Sequence, residues 1–151
     1  MLGEKVENFT LEDQDGKLFD LYENLDKNVL LIFYPKDNSK VCSKQLKNYQ
    51  LQEKMFQEKK IKVVGINIDN VKSHRKFCND LNLKIPLLFD KKKMISRKFR
   101  ALNLFGFNKR KMVLIDTTGK IVLEQDISYF NFPLAEEILA NIEKLKILKK
   151  T

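Results

Sequence analysis

Cysteine is scarce in this chain: Cys42 and Cys78 are the only two in 151 residues. Two thiols cannot build the multi-bridge framework of a small secreted domain, so each is either a core filler or a reactive group. Proline and glycine are few, and no Gly-, Ser- or Pro-rich stretch marks a linker. With no internal repeat or low-complexity segment either, a single domain is expected over 1–151. No apolar run reaches the ~18 residues that a membrane-crossing helix needs. The opening "MLGEKVENFTLEDQDG" has acids where a secretory signal needs a basic segment followed by an apolar one, so a cytoplasmic protein is expected. The lone histidine, His74, has no second histidine or carboxylate at metal-ligand spacing, so no metal site is expected. Neither a P-loop nor a Gly-rich dinucleotide motif occurs, so no cofactor is expected.

Lysine is abundant. Lysine and arginine total 29 against 20 acids, a net charge of +9. A basic field attracts polyanions, but here the lysines are spread over "QEKKIK", "DKKKM" and "KLKILKK" rather than gathered in one stripe. Nucleic acid is therefore not expected as a partner, and a module holding an acidic partner stays as the non-enzymatic alternative. Hydrophobic residues, 43% of the chain, suffice for a core.

"NFTLEDQDGKLFDL" reads as two short strands around Asp15-Gly16, a dipeptide that favours a tight turn. Val29 to Tyr34 is apolar without alternation, as a central strand covered on both faces would be. From Ser39 the period changes: Cys42, Leu46, Tyr49 and Phe56 recur at helical spacing through "CSKQLKNYQLQEKMFQEKK". "IKVVGINID" is a second buried strand. Asn70 then caps a helix whose inner face would carry Val71, Cys78 and Leu81. "KIPLLFD" is a short strand, Met94 to Leu102 a helix, and "KMVLID" with "IVLEQ" an antiparallel pair around "TTGK". Leu134, Ile138, Ile142, Leu145 and Leu148 would line the last helix. Strands alternating with helices predict an α/β chain of thioredoxin-like fold, a central mixed β-sheet flanked by helices. Asp13, Asp15, Asp37 and Asp69 fall in turns or at helix starts, where capping accounts for them.

Cys42 would occupy the third position of the helix capped by Ser39. Unpaired N–H groups and the positive end of the helix dipole point at a sulfur placed there and favour a thiolate. A small hydrophobe at a helix start is an equal reading of the position alone. Neither cysteine has a C-x-x-C partner, which weakens the rival enzyme reading of a thiol:disulfide oxidoreductase.

The neighbouring residues narrow this. "PKDNSKVC" has a proline seven residues and a serine three residues before the cysteine, and resembles the Pro-x-x-x-Thr/Ser-x-x-Cys signature of peroxiredoxins. "FYPKDN" is similar to the bacterioferritin comigratory protein, or peroxiredoxin Q, branch. "VENFTLEDQDGKLFDL", "SHRKFCNDLNLKIPLLFD" and "MVLIDTTGKIV" are similar to its opening hairpin, mid-chain helix and strand, and late hairpin, so the resemblance covers nearly the whole chain.

The resemblance implies that Cys42 is the peroxidatic thiol, with the Ser39 hydroxyl on the peroxide, Pro35 shielding the sulfur and Arg110 stabilising charge. Taken alone, Arg110 would be a surface cation. The sequence departs from the family at Val41, where glycine is usual, and at Gln45, where glutamate is usual. Those two differences bear on the loop shape and on the charge balance near Arg110. Lys47 stands where many members of the branch carry a resolving cysteine. The resemblance therefore points to Cys78, in the later helix, as the resolving thiol through a Cys42–Cys78 disulfide, with a core role as the other reading.

The function implied is a thiol-dependent peroxidase acting on hydrogen peroxide and small organic hydroperoxides, with thioredoxin or a similar thiol as reductant. A monomer is expected, and exposed aromatics such as Phe105 and Phe107 offer a dimer interface as the alternative.

Overall fold

The computed structural model of the protein describes residues 1–150, with side chains through Lys146. Its seven strands are β1 (Thr10–Glu12), β2 (Leu18–Asp20), β3 (Asn28–Phe33), β4 (Ile61–Asn67), β5 (Leu87–Phe89), β6 (Arg110–Ile115) and β7 (Ile121–Ile127). They form one mixed sheet in the order β2-β1-β5-β4-β3-β6-β7. The centre is parallel, β3 with β4 and β4 with β5, and β6 and β7 add antiparallel to the β3 side.

The unbroken apolar runs follow from burial on both faces. Leu30, Ile32 and Tyr34 point into one core, with Met112 and Leu114 of β6. Val29, Leu31 and Phe33 point into the other, with Val113 and Ile115. The first core is closed by α1 (Lys40–Leu51), α2 (Glu53–Glu58), α3 (Val71–Leu81) and α5 (Ala135–Lys150); the second by α4 (Met94–Lys98) and the amino-terminal segment. No helix among the described residues is long and apolar enough to cross a membrane.

Several boundaries differ from the periodicity. The expected long helix after Ser39 breaks at Gln52, which has φ −102° and ψ 19° and caps both α1 and α2. The apolar spacing cannot register this break, because Tyr49 and Phe56 stay on the same buried side across it. The helix expected over Met94 to Leu102 ends at Lys98, since Arg100 takes a left-handed φ of 54°. In α3 the buried face is His74, Phe77 and Cys78, whereas Val71 and Leu81 are only half-buried. Leu134 is 44% exposed because it precedes α5, while Ile138 and Ile142 are buried as expected. Leu148 lies outside the described side chains.

One close approach sets the spacing between strands and α1. A Cβ on Gly65 of β4 would stand 2.7 Å from Leu87 Cδ2 and 3.2 Å from Tyr34 Cε1, both on fully buried side chains. Gly65→Ala should therefore destabilise the fold by about 1–3 kcal/mol through overpacking. The check is urea unfolding, where the midpoint falls at unchanged slope.

Candidate functional site

The loop between β3 and α1 is built by local rules. Pro35 has no N–H to give a sheet ladder, so β3 stops before it. Asn38 takes a left-handed φ of 63°, a conformation that asparagine tolerates, and turns the chain back. Ser39 then adopts the extended cap conformation, φ −70° and ψ 148°, and its Oγ accepts from the Cys42 N–H at 3.3 Å. That hydroxyl keeps its own proton free to donate to a third group. Val41 is simply the second helical residue, so the departure from glycine leaves the helix start intact. Pro35 and Ser39 stand half-buried at the two ends of this loop.

Arg110 comes from the first residue of β6 and is 2% exposed. Its Nη2 donates to Cys42 Sγ at 3.2 Å, and its Nη1 donates to Gln45 Oε1. Nε and Nη2 also donate to the carbonyls of Ser128 and Tyr129, at 3.1 and 3.4 Å. Arg110 makes no salt bridge among the described residues, so neutral acceptors and the thiol divide its donors. Gln45 is itself fully buried, and its Nε2 donates to Tyr49 Oη. Burial pushes the Tyr49 phenol up, outweighing the Gln45 bond and the Arg110 charge, and the hydroxyl donates to the Pro133 carbonyl at 2.8 Å. Asn48 of the same helix accepts from the Ala135 N–H and so caps α5. Helix α1 thus fixes both the sulfur and the 128–135 segment that covers the arginine.

On the opposite face of β6, buried Lys111 donates to the Phe99 carbonyl and to Glu124 Oε1, both at 2.7 Å. The strand start therefore holds one cation for each face of the sheet.

Ser39, Cys42 and Arg110 are brought together. Cys78 lies apart on α3, in the same apolar core as Cys42, and both thiols are free. Burial first, then the charges of Asp37, Asp15 and Asp13, push the Cys78 thiol up to about 12. In this conformation it is protonated and a poor nucleophile. No group of three or more potential metal ligands occurs among the described residues. Leu104, Phe105 and Phe107 are exposed, as is Phe130 within the covering segment, and Asn103 Nδ2 ties the two stretches together by donating to Tyr129 Oη at 3.1 Å.

The reading of Asp37 as a cap is corrected. It is 3% exposed and caps nothing; its carboxylate accepts from Tyr34, Asn67, Ser73 and His74. Burial raises this carboxyl, but the bonds and charge of His74, with Tyr34 and Ser73, outweigh it and hold Asp37 below the ordinary range. His74, isolated in the sequence, is the fully buried partner. The one available signal was its place four residues before Cys78, on the same helical face.

The arrangement is a buried thiol at a helix start, with a guanidinium on the sulfur and a hydroxyl beside it. The sequence pattern of the AhpC/TSA family matches residues 2–124. A putative peroxiredoxin bcp of Helicobacter pylori is 35% identical over 100 residues, 66% of either chain. The chloroplastic peroxiredoxin Q of Populus jackii is 32% identical over 80% of this chain and 58% of its own, so the chain spans two thirds or less of these relatives. The crystal structure of peroxidoxin BcpB from Mycobacterium tuberculosis superposes with a TM-score of 0.83 at 26% identity, over 97% of this chain and 96% of that one. Its thioredoxin-like fold is shared, and the chain belongs to the AhpC/TSA family, in the bacterioferritin comigratory protein and peroxiredoxin Q branch of the peroxiredoxins.

Proposed function

We propose that the protein is a thiol-dependent peroxidase that reduces hydrogen peroxide and small organic hydroperoxides through Cys42. The observation that carries this reading is the Arg110 guanidinium donating to Cys42 Sγ at 3.2 Å in a buried site. Attack on an O–O bond needs a thiolate, and negative charge then grows on the leaving oxygen. A fixed guanidinium and the free Ser39 proton meet that charge where it forms, with no reorganisation needed. The Cys42 thiolate takes the terminal peroxide oxygen, the O–O bond breaks, and the departing alkoxide or hydroxide picks up a proton. Cys42 is left as the sulfenic acid. Pro35 limits the approach of water on the loop side.

Cys78 is the proposed resolving thiol. Its thiolate attacks the sulfenic sulfur, a disulfide forms, the S–O bond breaks, and the departing hydroxide takes up the proton that the Cys78 thiol gave up and leaves as water. Thioredoxin or a similar dithiol then reduces the disulfide and is itself oxidised. Two free thiols suit a reducing compartment such as the cytoplasm. Cys42 and Cys78 sit on different helices, α1 and α3, and a disulfide needs Cα atoms within about 7 Å, so the proposed cycle has the first turn of α1 and part of 71–83 unwind for the two sulfurs to meet.

Arg110→Lys keeps a charge but loses the fork that reaches sulfur, Gln45 and two carbonyls at once. The peroxide-dependent oxidation of Cys42, followed by stopped flow, should slow by about 10²-fold. An unchanged rate would remove the guanidinium from the chemistry. In wild-type protein given one equivalent of peroxide, peptide mapping after alkylation should recover Cys42 linked to Cys78, and Cys42→Ser should leave Cys78 reduced.

The pH profile of the disulfide step separates two routes. Attack from the folded helix would accelerate continuously toward the Cys78 value of about 12. After unwinding, the thiol regains its ordinary range, and the rate should level off near about 8.5, the expected result.

A further inference from the structure

A buried polar cluster joins the Cys42 loop to the helix that carries the second thiol, and no step of the peroxide chemistry uses it. Asp37 stands two residues before Ser39. One carboxylate oxygen accepts from Tyr34 Oη at 2.6 Å and Asn67 Nδ2 at 3.3 Å, both from the sheet side. The other accepts from Ser73 Oγ at 2.7 Å and His74 Nδ1 at 2.6 Å, both from α3. Cys78 follows one turn after His74 on the same buried face.

His74 is held at both ring nitrogens. Nε2 lies 3.2 Å from the Leu88 carbonyl, which only accepts, so that nitrogen carries a hydrogen. Nδ1 faces a carboxylate, which when ionised also only accepts. The short bond between Nδ1 and the ionised carboxylate is charge-assisted. Such a buried bond is strong, and breaking it from one side strands a charge. Around the pair stand Tyr34, the Asp69 carboxylate that accepts from the Asp37 N–H at 2.8 Å, and the Cys78 thiol. Asp13 and Asp15 act on Cys78 from the amino-terminal turn.

We propose that Asp37, His74 and Ser73 form a latch that couples the folding of α3 to the geometry of the Cys42 loop, and so sets the order of the two half-reactions. Closed, the latch holds Ser39 and Cys42 in place for peroxide and keeps Cys78 buried. Opened, it frees α3 and loosens the loop together. His74 and Ser73 are positioning residues, since neither touches the reacting sulfur. The second half of the inference rests on Cys78 being the resolving thiol; the hold on the loop does not.

The test is single-turnover oxidation of wild type, His74→Gln and Ser73→Ala, separating the peroxide-dependent phase from the peroxide-independent disulfide phase. In His74→Gln the disulfide phase should quicken by at least about fivefold, as loss of one buried hydrogen bond implies, while the peroxide phase slows. Ser73→Ala removes one grip, keeps the Asn70 cap on the Ser73 N–H, and should shift both phases the same way by less. Val113→Ala, in the opposite core, is the control for a general loss of stability: opposite signs in the latch variants that it does not share support the latch, and the same opposite signs in Val113→Ala overturn it. Both phases unchanged, or both slowed, in the two variants overturns the latch. If wild type forms no Cys42–Cys78 disulfide, the two-cysteine reading fails on its own, and amide exchange decides the latch. Faster exchange in both 36–43 and 71–78 of His74→Gln supports it, and a rise confined to 71–78 overturns it.

Discussion

A full positive charge sits almost dry in this molecule, and much of its architecture follows from keeping that charge satisfied. Arg110 is 2% exposed, yet its donors reach an amide oxygen, two backbone carbonyls and one sulfur. An isolated buried cation would cost several kcal/mol, so each acceptor has to be held rigidly. That requirement fixes α1, which supplies Cys42 and Gln45, and the 128–135 segment, which is tied back to α1 by Tyr49 and Asn48. The sulfur is the one acceptor in the set able to take up a full negative charge, and the site therefore favours electron density there. With Gln45 in place of an acid, no carboxylate among the described residues pairs with the guanidinium in competition with the sulfur.

The same packing creates a conflict. Cys78 is a good core residue and, for that reason, a poor nucleophile where it stands, its thiol pushed up to about 12. Under the proposed two-thiol cycle α3 has to open, and segments that open are drawn from the less stable parts of a fold. Here α3 is pinned at its first turn by the polar cluster and closed at its end by Asn82, whose left-handed φ of 53° terminates the helix. Between those two ends the helix buries Phe77 and Cys78 in the first core.

Much of this was legible in sequence because it rests on local chemistry. The apolar runs Val29 to Tyr34 and "IKVVGINID" declared two-sided burial, Ser39 and Asn70 declared their caps, and the thiol's place in α1 followed from the first of these. The family resemblance at "MVLID" singled out Arg110, which taken alone would have been read as a surface cation, and its guanidinium lies on the Cys42 sulfur. The breaks at Gln52 and Arg100 were not legible, because apolar spacing continues across the first and a left-handed residue leaves no periodic trace. Asp37 was misread for a related reason. An aspartate before a helix is usually a cap, and only the tertiary approach of β4 and α3 completes the four partners around it.

Strand β6 opens with two cations side by side, and the alternation of a strand sends them to opposite faces. Arg110 goes to the sulfur and Lys111 to Glu124 and the Phe99 carbonyl. Sliding β6 by a single residue against β3 would turn each cation to the other face, and in one direction it would bring Lys111 to the place of Arg110, so that a compact ammonium met the thiol. The pairing of Phe33 with Lys111 and of Val29 with Ile115 thus does more than align a ladder. It is an addressing system that decides which cation the thiol meets, written in backbone hydrogen bonds several residues from the chemistry.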